Sequence, residues 1–129
     1  MLWTATLCLV LWSGVPPPSA ASCGDAGVER YEPRTFLGYA CEDDCERHKA
    51  GFQWAEWHSV TDPRRCASLP RPEAEGCAAY ADGDQDAETA GDRWAVENEV
   101  AGPCHCNGAG ERFRAGCARA LEIRANASR

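Results

Sequence analysis

Large aliphatic side chains, from which soluble domains build a hydrophobic core, are scarce in this sequence. Beyond position 21 the chain of 129 residues contains only three leucines, one isoleucine, four valines and three phenylalanines. With 26% charged residues as well, such a composition is typical of disordered proteins unless cross-links hold the fold together. Basic residues are also few, 13 against 20 acidic ones. The resulting net charge of −7 counts against a nucleic acid or an anionic membrane surface as the partner.

The usual sequence patterns of catalytic sites are missing as well. No serine lies in a nucleophile elbow, and no glycine-rich loop has the spacing that cradles phosphate. The acidic segment 82–88 resembles the start of a calcium loop, but Ala87 and Arg93 stand where such a loop needs glycine and glutamate. Carboxylates are plentiful, so a hydrolase that uses a carboxylate pair stays open as an alternative. We predict no enzymatic activity, no catalytic residues and no cofactor.

The N-terminal segment has the pattern of an export signal. An apolar run over residues 2–11 is followed by three consecutive prolines and then by the small residues Ser19, Ala20 and Ala21. The run is shorter than the ~20 residues that a membrane-spanning helix needs. We therefore predict a signal peptide over residues 1–21, no membrane span, and a secreted or periplasmic mature protein. Lipid attachment at Cys23 is the alternative.

Cysteine supplies the cross-links that so small a core requires. Removal of the signal peptide takes away Cys8 and leaves eight of the nine cysteines. An even number of cysteines in a small exported chain is typical of a disulfide framework. We predict that residues 22–129 form a single domain stabilised by disulfides.

Residues 50–78 match residues 90–118 without a gap at an offset of 40. Ten of the 29 aligned positions are identical, and they include a tryptophan, a proline and two cysteines. A period of this size predicts stacked copies of one supersecondary unit. We predict an incomplete unit over residues 22–45, a first repeat over 46–85 and a second repeat over 86–125.

Each repeat is predicted to be a helical hairpin, so the predicted fold class is all-α. Four residues of the first copy share one helix face through the spacing i, i+3, i+4 and i+7: Gly51, Trp54, Ala55 and His58. Because glycine costs a helix about 1 kcal/mol, we expect another helix to approach Gly51 closely. Asp62 and Pro63 form a helix-start pattern, and the second helix is expected to begin near Pro72.

The segment from Thr35 to Ala40 is predicted to be the second helix of the incomplete unit. In that alignment Gly38 stands where Gly76 and Gly116 stand in the repeats. Since no segment shows a sustained alternation of β-branched residues, we expect no strands.

Equal spacing at equivalent positions predicts two disulfides, Cys66–Cys77 and Cys106–Cys117. Three pairings then remain open for the other four cysteines, which are Cys23, Cys41, Cys45 and Cys104. We favour Cys45–Cys104 and Cys23–Cys41. Cys41 and Cys45 would share one helical face, where the geometry for a mutual bond is poor.

Three motifs between Thr35 and Tyr80 resemble a known group of proteins. They read TFLGYACEDDCERHKAGFQWAE, VTDPRRC and EGCAAY. The chain resembles a set of small, uncharacterised, cysteine-rich bacterial exported proteins, and this resemblance implies structural roles for the shared residues and no established activity. A weaker likeness, carried by Glu75, Gly76 and Cys77, is to the Sel1-like cysteine-rich repeats, which are also disulfide-tied helical hairpins.

Cysteine and histidine side chains are also candidates for a metal site. Cys104, His105 and Cys106, together with His48 and His58, have the ligand types that zinc and copper prefer. In an oxidising compartment, however, cysteines more often pair with each other. We therefore predict no metal site.

Trp57 is the candidate binding residue. It lies off the face of Trp54 and has no aromatic counterpart at position 97. Exposed beside His58, it would serve as a binding anchor; the alternative is that it packs against the N-terminal incomplete unit. We predict an exported, non-enzymatic binding protein whose partner is a protein, and the acidic charge favours a basic one. The alternatives are a metal-handling protein and an inhibitor or immunity-type protein of the cell envelope.

Overall fold

The computed structural model describes residues 34–41, 45–83 and 85–129. The predicted signal peptide, its cleavage site and Cys23 lie outside the described residues. Those ranges contain two short strands, four α-helices and two 3₁₀ helices. These elements are β1 (Thr35–Phe36), β2 (Tyr39–Ala40), α1 (Glu46–Trp57), the first 3₁₀ helix (Pro63–Ser68), α2 (Arg71–Asp82), α3 (Ala87–Glu97), the second 3₁₀ helix (Pro103–Cys106) and α4 (Glu111–Ala127). The predicted all-α, disulfide-rich class is confirmed.

The helices form two pairs with the same order of elements. Helix α1 packs against α2, and α3 packs against α4. In each pair a 3₁₀ helix lies between the two α-helices. No helix within the described ranges combines the length and the apolar character required to cross a bilayer.

Glycine on the first helix of each pair lets the second helix come close. A Cβ atom added to Gly51 would lie 1.9 Å from the carbonyl oxygen of Glu73, and one added to Gly91 would lie 1.9 Å from that of Phe113. No side chain fits at such a distance, so both positions require glycine. This is the packing reason that the sequence predicted for Gly51.

Glycine on the second helices makes the same contact in the opposite direction. A Cβ atom on Gly76 would lie 1.8 Å from the carbonyl oxygen of His48, and one on Gly116 would lie 1.8 Å from that of Glu88. The two backbones of each pair therefore touch at two points. Helices packed this closely leave little space between them, which explains how a chain with few large aliphatic side chains can fill its core.

The chain between α1 and α2 begins as Asp62 and Pro63 predict. The Asp62 carboxylate accepts a hydrogen bond from the backbone N–H of Arg64 over 3.0 Å, and Pro63 is the first helical residue. The element that they start is a 3₁₀ helix, and α2 follows at Arg71, next to the predicted Pro72.

Two disulfides join the 3₁₀ helices to the second helices. Cys66 pairs with Cys77 and Cys106 pairs with Cys117, with Cα atoms 5.7 Å and 5.6 Å apart. These are the two bonds that the equal spacing predicts, and all four cysteines are buried.

The favoured pairing of the other cysteines, Cys45–Cys104 and Cys23–Cys41, is wrong. Cys41 is bonded to Cys45, with Cα atoms 5.1 Å apart. The two do not share a helix: Cys45 has a φ of 56° and precedes α1, whereas Cys41 follows strand β2. A Cα separation of 5.1 Å lies within the range that a disulfide spans. Cys104 is also disulfide-bonded.

The segment predicted as a helix from Thr35 to Ala40 is a β-hairpin instead. Thr35 pairs with Ala40 and Phe36 with Tyr39. The two residues of the turn, Leu37 and Gly38, have φ values of 50° and 98°, the positive values that a two-residue hairpin turn requires. The expectation of no strands is therefore wrong here, and Gly38 does not have the packing role of Gly76.

Aromatic rings from both helix pairs and from the hairpin meet in one core. The ring of Phe36 lies 5.8 Å from that of Phe52, 5.7 Å from that of Phe113 and 6.4 Å from that of Trp94. All four side chains are buried. The hairpin thus inserts Phe36 between the two helix pairs. A second, smaller cluster under α1 and α2 consists of Ala55, Val60, Cys66, Cys77 and Ala81.

Candidate functional site

Trp57, the last residue of α1, is exposed over 72% of its surface. None of the described residues of the predicted N-terminal unit buries the Trp57 side chain, and most of that unit lies outside the described residues. Indole is a large and largely apolar group, and its exposure is a common feature of protein-binding surfaces.

Trp54 and His58 lie one helical turn apart, next to Trp57. The His58 ring stacks on the Trp54 ring, with centroids 4.3 Å apart and planes inclined by 24°. The Nδ1 atom of His58 lies 2.7 Å from the carbonyl oxygen of Trp54. Because a carbonyl oxygen only accepts, Nδ1 carries the proton and donates it. We call the three residues Trp54, Trp57 and His58 the tryptophan surface.

The end of α1 holds the tryptophan surface in place. Ser59 follows the helix with a φ of 49°, and the N–H of Val60 then donates to the carbonyl oxygen of Ala55 over 2.9 Å. Val60 is fully buried, which is the hydrophobic contact that accompanies this kind of helix end. The exposed rings of Trp57 and His58, and the half-buried ring of Trp54, which packs against the second cluster, therefore stand on a fixed backbone.

On α3, the positions equivalent to Trp54 and His58 are covered by the hairpin of β1 and β2. Trp94, which aligns with Trp54, is fully buried, and its Nε1 donates to the carbonyl oxygen of Thr35 over 2.9 Å. Asn98, which aligns with His58, accepts hydrogen bonds at Oδ1 from the backbone N–H groups of Arg34 and Thr35, both over 3.2 Å. Its Nδ2 donates to the carbonyl oxygen of Trp94 over 2.9 Å.

A cation completes the cover of Trp94. The Lys49 ammonium lies 4.4 Å from the centre of the Trp94 ring, and it donates to the carbonyl oxygen of His105 over 2.5 Å. Lys49 is only 2% exposed, and its contacts with the ring and the carbonyl oxygen offset the hydration that the buried ammonium loses. Lys49 thereby joins α1 to the second helix pair.

No described residue covers Trp54 in the same way. Among the described residues no acceptor takes a hydrogen bond from Trp54 Nε1, and that atom is not one of the buried polar atoms that lack a partner. It therefore reaches solvent. The tryptophan surface therefore corresponds in position to Trp94 and Asn98 on α3, but no described segment lies over it as the hairpin lies over those two residues.

Two carboxylates of α2 form hydrogen bonds with side chains of α1. A hydrogen bond from His48, over 2.7 Å, holds the pKa of Glu75 below its ordinary value, although burial acts in the opposite direction. Two hydrogen bonds of 3.0 Å from Arg47 lower the pKa of Glu73 in the same way. A general acid needs a raised pKa, so these two carboxylates are suited to structural roles.

Four of the five residues of the candidate metal cluster are engaged elsewhere. Cys104 and Cys106 are disulfide-bonded, which leaves no thiolate to bind a metal. His48 is bound to Glu75 and His58 to Trp54. Within the part of the chain that the structure describes, no three His, Cys, Asp or Glu side chains are grouped to hold a metal ion.

The acidic segment before α3 contains a helix cap. The Asp86 carboxylate accepts hydrogen bonds from the backbone N–H of Glu88 over 3.1 Å and from the hydroxyl of Thr89 over 2.7 Å. The hydroxyl is the larger cause of the lowered pKa of Asp86. Neither this cap nor the role of Asn98 was predicted. The sequence did offer one indication of the role of Asn98, because asparagine replaces His58 on a helix face that is otherwise repeated.

In comparisons with known proteins, the chain matches no family model, no curated protein and no solved structure.

Proposed function

We propose that the chain is an exported, non-enzymatic binding protein that recognises another protein through the tryptophan surface. The observation that carries this proposal is the 72% exposure of Trp57 beside the stacked pair of Trp54 and His58. Tryptophan is among the residues that contribute most to the free energy of protein association. A fixed aromatic pair also loses little conformational entropy on binding, which favours affinity.

The disulfides support an extracellular or periplasmic location. Three bonds link described cysteines, and such bonds persist in oxidising compartments. Together with the predicted signal peptide over residues 1–21, they favour export of a mature chain that begins after Ala20 or Ala21. The matching element order of the two helix pairs favours their origin from one duplicated unit.

The charge of the chain favours a basic partner. Its net charge is −7, which attracts a positively charged protein over a distance and speeds their encounter. The same charge repels nucleic acid, so we propose a protein partner.

Affinity capture with matched variants tests the proposal. The mature protein, Trp57→Ala and Ile123→Ala would each capture partners from the secreted and envelope fractions of the producing cells. Ile123 is the control because it is 61% exposed and lies on α4. We expect one or more proteins to be recovered by the wild type and by Ile123→Ala, and at least about tenfold less by Trp57→Ala, the loss typical of a central anchor. Equal recovery by all three would contradict the proposal.

A further inference from the structure

We infer that the tryptophan surface binds an extended peptide segment that carries a lysine or an arginine, seated as strand β1 is seated on Trp94 and Asn98. This inference rests on the proposed function and names the class of partner. The chain contains two equivalent positions, of which the one on α3 is covered and the one on α1 is open.

The two positions have the same backbone frame. Ser59 and Glu99 each follow a helix with a φ of 49°. The next residue donates its N–H to a carbonyl five positions back in both cases: Val60 over 2.9 Å and Val100 over 3.0 Å. Both valines are fully buried. The side chains at positions 54 and 58 therefore start from the same kind of backbone as those at positions 94 and 98.

The side chains at positions 58 and 98 also have matching donor and acceptor groups. Asn98 donates to the carbonyl oxygen of Trp94 and keeps Oδ1 as an acceptor, which takes the N–H groups of Arg34 and Thr35. His58 donates from Nδ1 to the carbonyl oxygen of Trp54, and a neutral imidazole then has Nε2 as an acceptor. An incoming backbone N–H would meet an acceptor at either position.

The indole groups offer the matching donor. Trp94 Nε1 donates to the carbonyl oxygen of Thr35, whereas Trp54 Nε1 reaches solvent without an acceptor among the described residues. One donor and one acceptor, spaced along a helix end, fit the N–H and C=O groups of a single extended segment. This is how main-chain recognition adds a strand to a protein surface.

A cation on the tryptophan surface would come from the partner. Among the described residues, the cation that lies over a tryptophan ring is Lys49, over Trp94, and no described Lys or Arg lies over Trp54 or Trp57. The open ring of Trp57 beside the site offers a similar place for an ammonium or guanidinium group. A net charge of −7 favours the approach of a basic segment.

The test selects peptides against the mature, disulfide-bonded protein. The probe is a phage-displayed library of random 12-residue peptides, followed by synthesis of the enriched sequences. We expect enriched peptides to contain lysine or arginine. Trp54→Phe, which keeps a ring and removes the N–H, should weaken their binding about fivefold, the value of one hydrogen bond. His58→Ala should weaken it similarly, His58→Asn should restore it by copying Asn98, and Ile123→Ala should leave it unchanged.

A second measurement locates the peptide. In the ¹⁵N spectrum of the unliganded protein, the Trp94 indole N–H should exchange slowly with solvent and the Trp54 indole N–H quickly. Addition of an enriched peptide should shift the Trp54 signal and slow its exchange. Assignment follows from its loss in Trp54→Phe.

The outcomes separate the inference from the proposed function. Peptides that depend on Trp57 but are indifferent to Trp54→Phe and His58→Ala would overturn the inference and leave the proposed function standing. Peptides indifferent to Trp57→Ala as well would overturn both. Failure to enrich any basic peptide also overturns the inference. Slow exchange of the unliganded Trp54 N–H would then show that the chain's own N-terminal segment or a second copy occupies the site, and sedimentation would distinguish these two occupants.

Discussion

The indole N–H of Trp94 donates to the carbonyl oxygen of Thr35, 59 residues earlier in the chain, over 2.9 Å. This bond holds strand β1 on the end of α3. It also positions the next residue, Phe36, whose ring lies 6.4 Å from that of Trp94 in the core. Two strands of two residues each are not stable by themselves. The hairpin therefore depends on α3, and the core depends in turn on the hairpin.

A substitution at Asn98 should measure how much the hairpin, held on α3, contributes to stability. Replacement by alanine removes the acceptor for the N–H groups of Arg34 and Thr35. We expect Asn98→Ala to lower the free energy of unfolding by about 1–3 kcal/mol, measured by urea denaturation. The matched control is His58→Ala at the exposed equivalent position, which should change it by less than about 0.5 kcal/mol. Equal losses in the two variants would show that the hairpin does not depend on Asn98.

Gly51 should not tolerate even a methyl group. An added Cβ would lie 1.9 Å from the carbonyl oxygen of Glu73, so the two helices would have to separate. Alanine favours a helix by about 1 kcal/mol over glycine, but we expect Gly51→Ala to lose about 1–3 kcal/mol net, as overpacked sites do. Thermal and urea unfolding measure the loss. Gly102→Ala is the control, because nothing lies within 4 Å of its added Cβ. A Gly51→Ala protein as stable as the wild type would contradict the role given to this glycine.

The features that the sequence predicted rest on local spacing. The close approach at Gly51 follows from a helical period, and the Cys66–Cys77 bond follows from a spacing that recurs 40 residues later in Cys106 and Cys117. The Asp62 cap is local in the same sense, because it concerns a side chain and the N–H two residues later. Such features depend on the two helices and the segment between them, and they do not depend on contacts with distant parts of the chain.

The features that the sequence did not predict depend on backbone conformation or on distant contacts. Gly38 aligns with Gly76, yet its φ of 98° makes it a turn residue rather than a contact residue, and strands of two residues are too short to show alternation. The Cys41–Cys45 bond was not predicted because the two residues were placed on one helix, whereas Cys45 precedes α1 with a φ of 56°. The cover of Trp94 by Thr35 joins residues 59 apart. On the binding side, the sequence left the burial of Trp57 open, because burial by a distant segment leaves no local pattern; in the structure Trp57 is exposed.

The disulfides should contribute to stability in the order of their loop lengths. The Cys66–Cys77 bond closes a sequence separation of 11 and the Cys41–Cys45 bond one of 4. In the chain-entropy account, their removal costs about 3 and about 2 kcal/mol respectively. Double alanine variants of each pair, compared by urea unfolding, measure the two losses. A larger loss for the short loop would show that the unfolded-chain entropy does not dominate here.

Cys104 should be linked to Cys23 in the mature protein. Cys104 is disulfide-bonded, and the other six described cysteines pair with each other. Once the predicted signal peptide is removed with Cys8, Cys23 is the remaining cysteine. We expect non-reducing peptide mapping by mass spectrometry to find Cys104 joined to Cys23 and Cys41 joined to Cys45. A Cys45–Cys104 peptide would contradict this arrangement.

The hydrogen bond between Glu75 and His48 should make stability depend on pH. The hydrogen bond from His48 lowers the pKa of Glu75 from its ordinary value of 4.5. The folded protein therefore binds this proton less readily than the unfolded chain, so the contribution of Glu75 is complete above that ordinary pKa and is lost as the pH falls through the lower, folded one. We expect Glu75→Gln to be less stable than the wild type at about pH 6, and the difference to shrink as the pH falls below that ordinary pKa. Urea unfolding at several pH values measures this, with the exposed Glu122→Gln as a control that follows the wild type. A difference between Glu75→Gln and the wild type that stays constant across this range would show that the charge of Glu75 does not stabilise the fold.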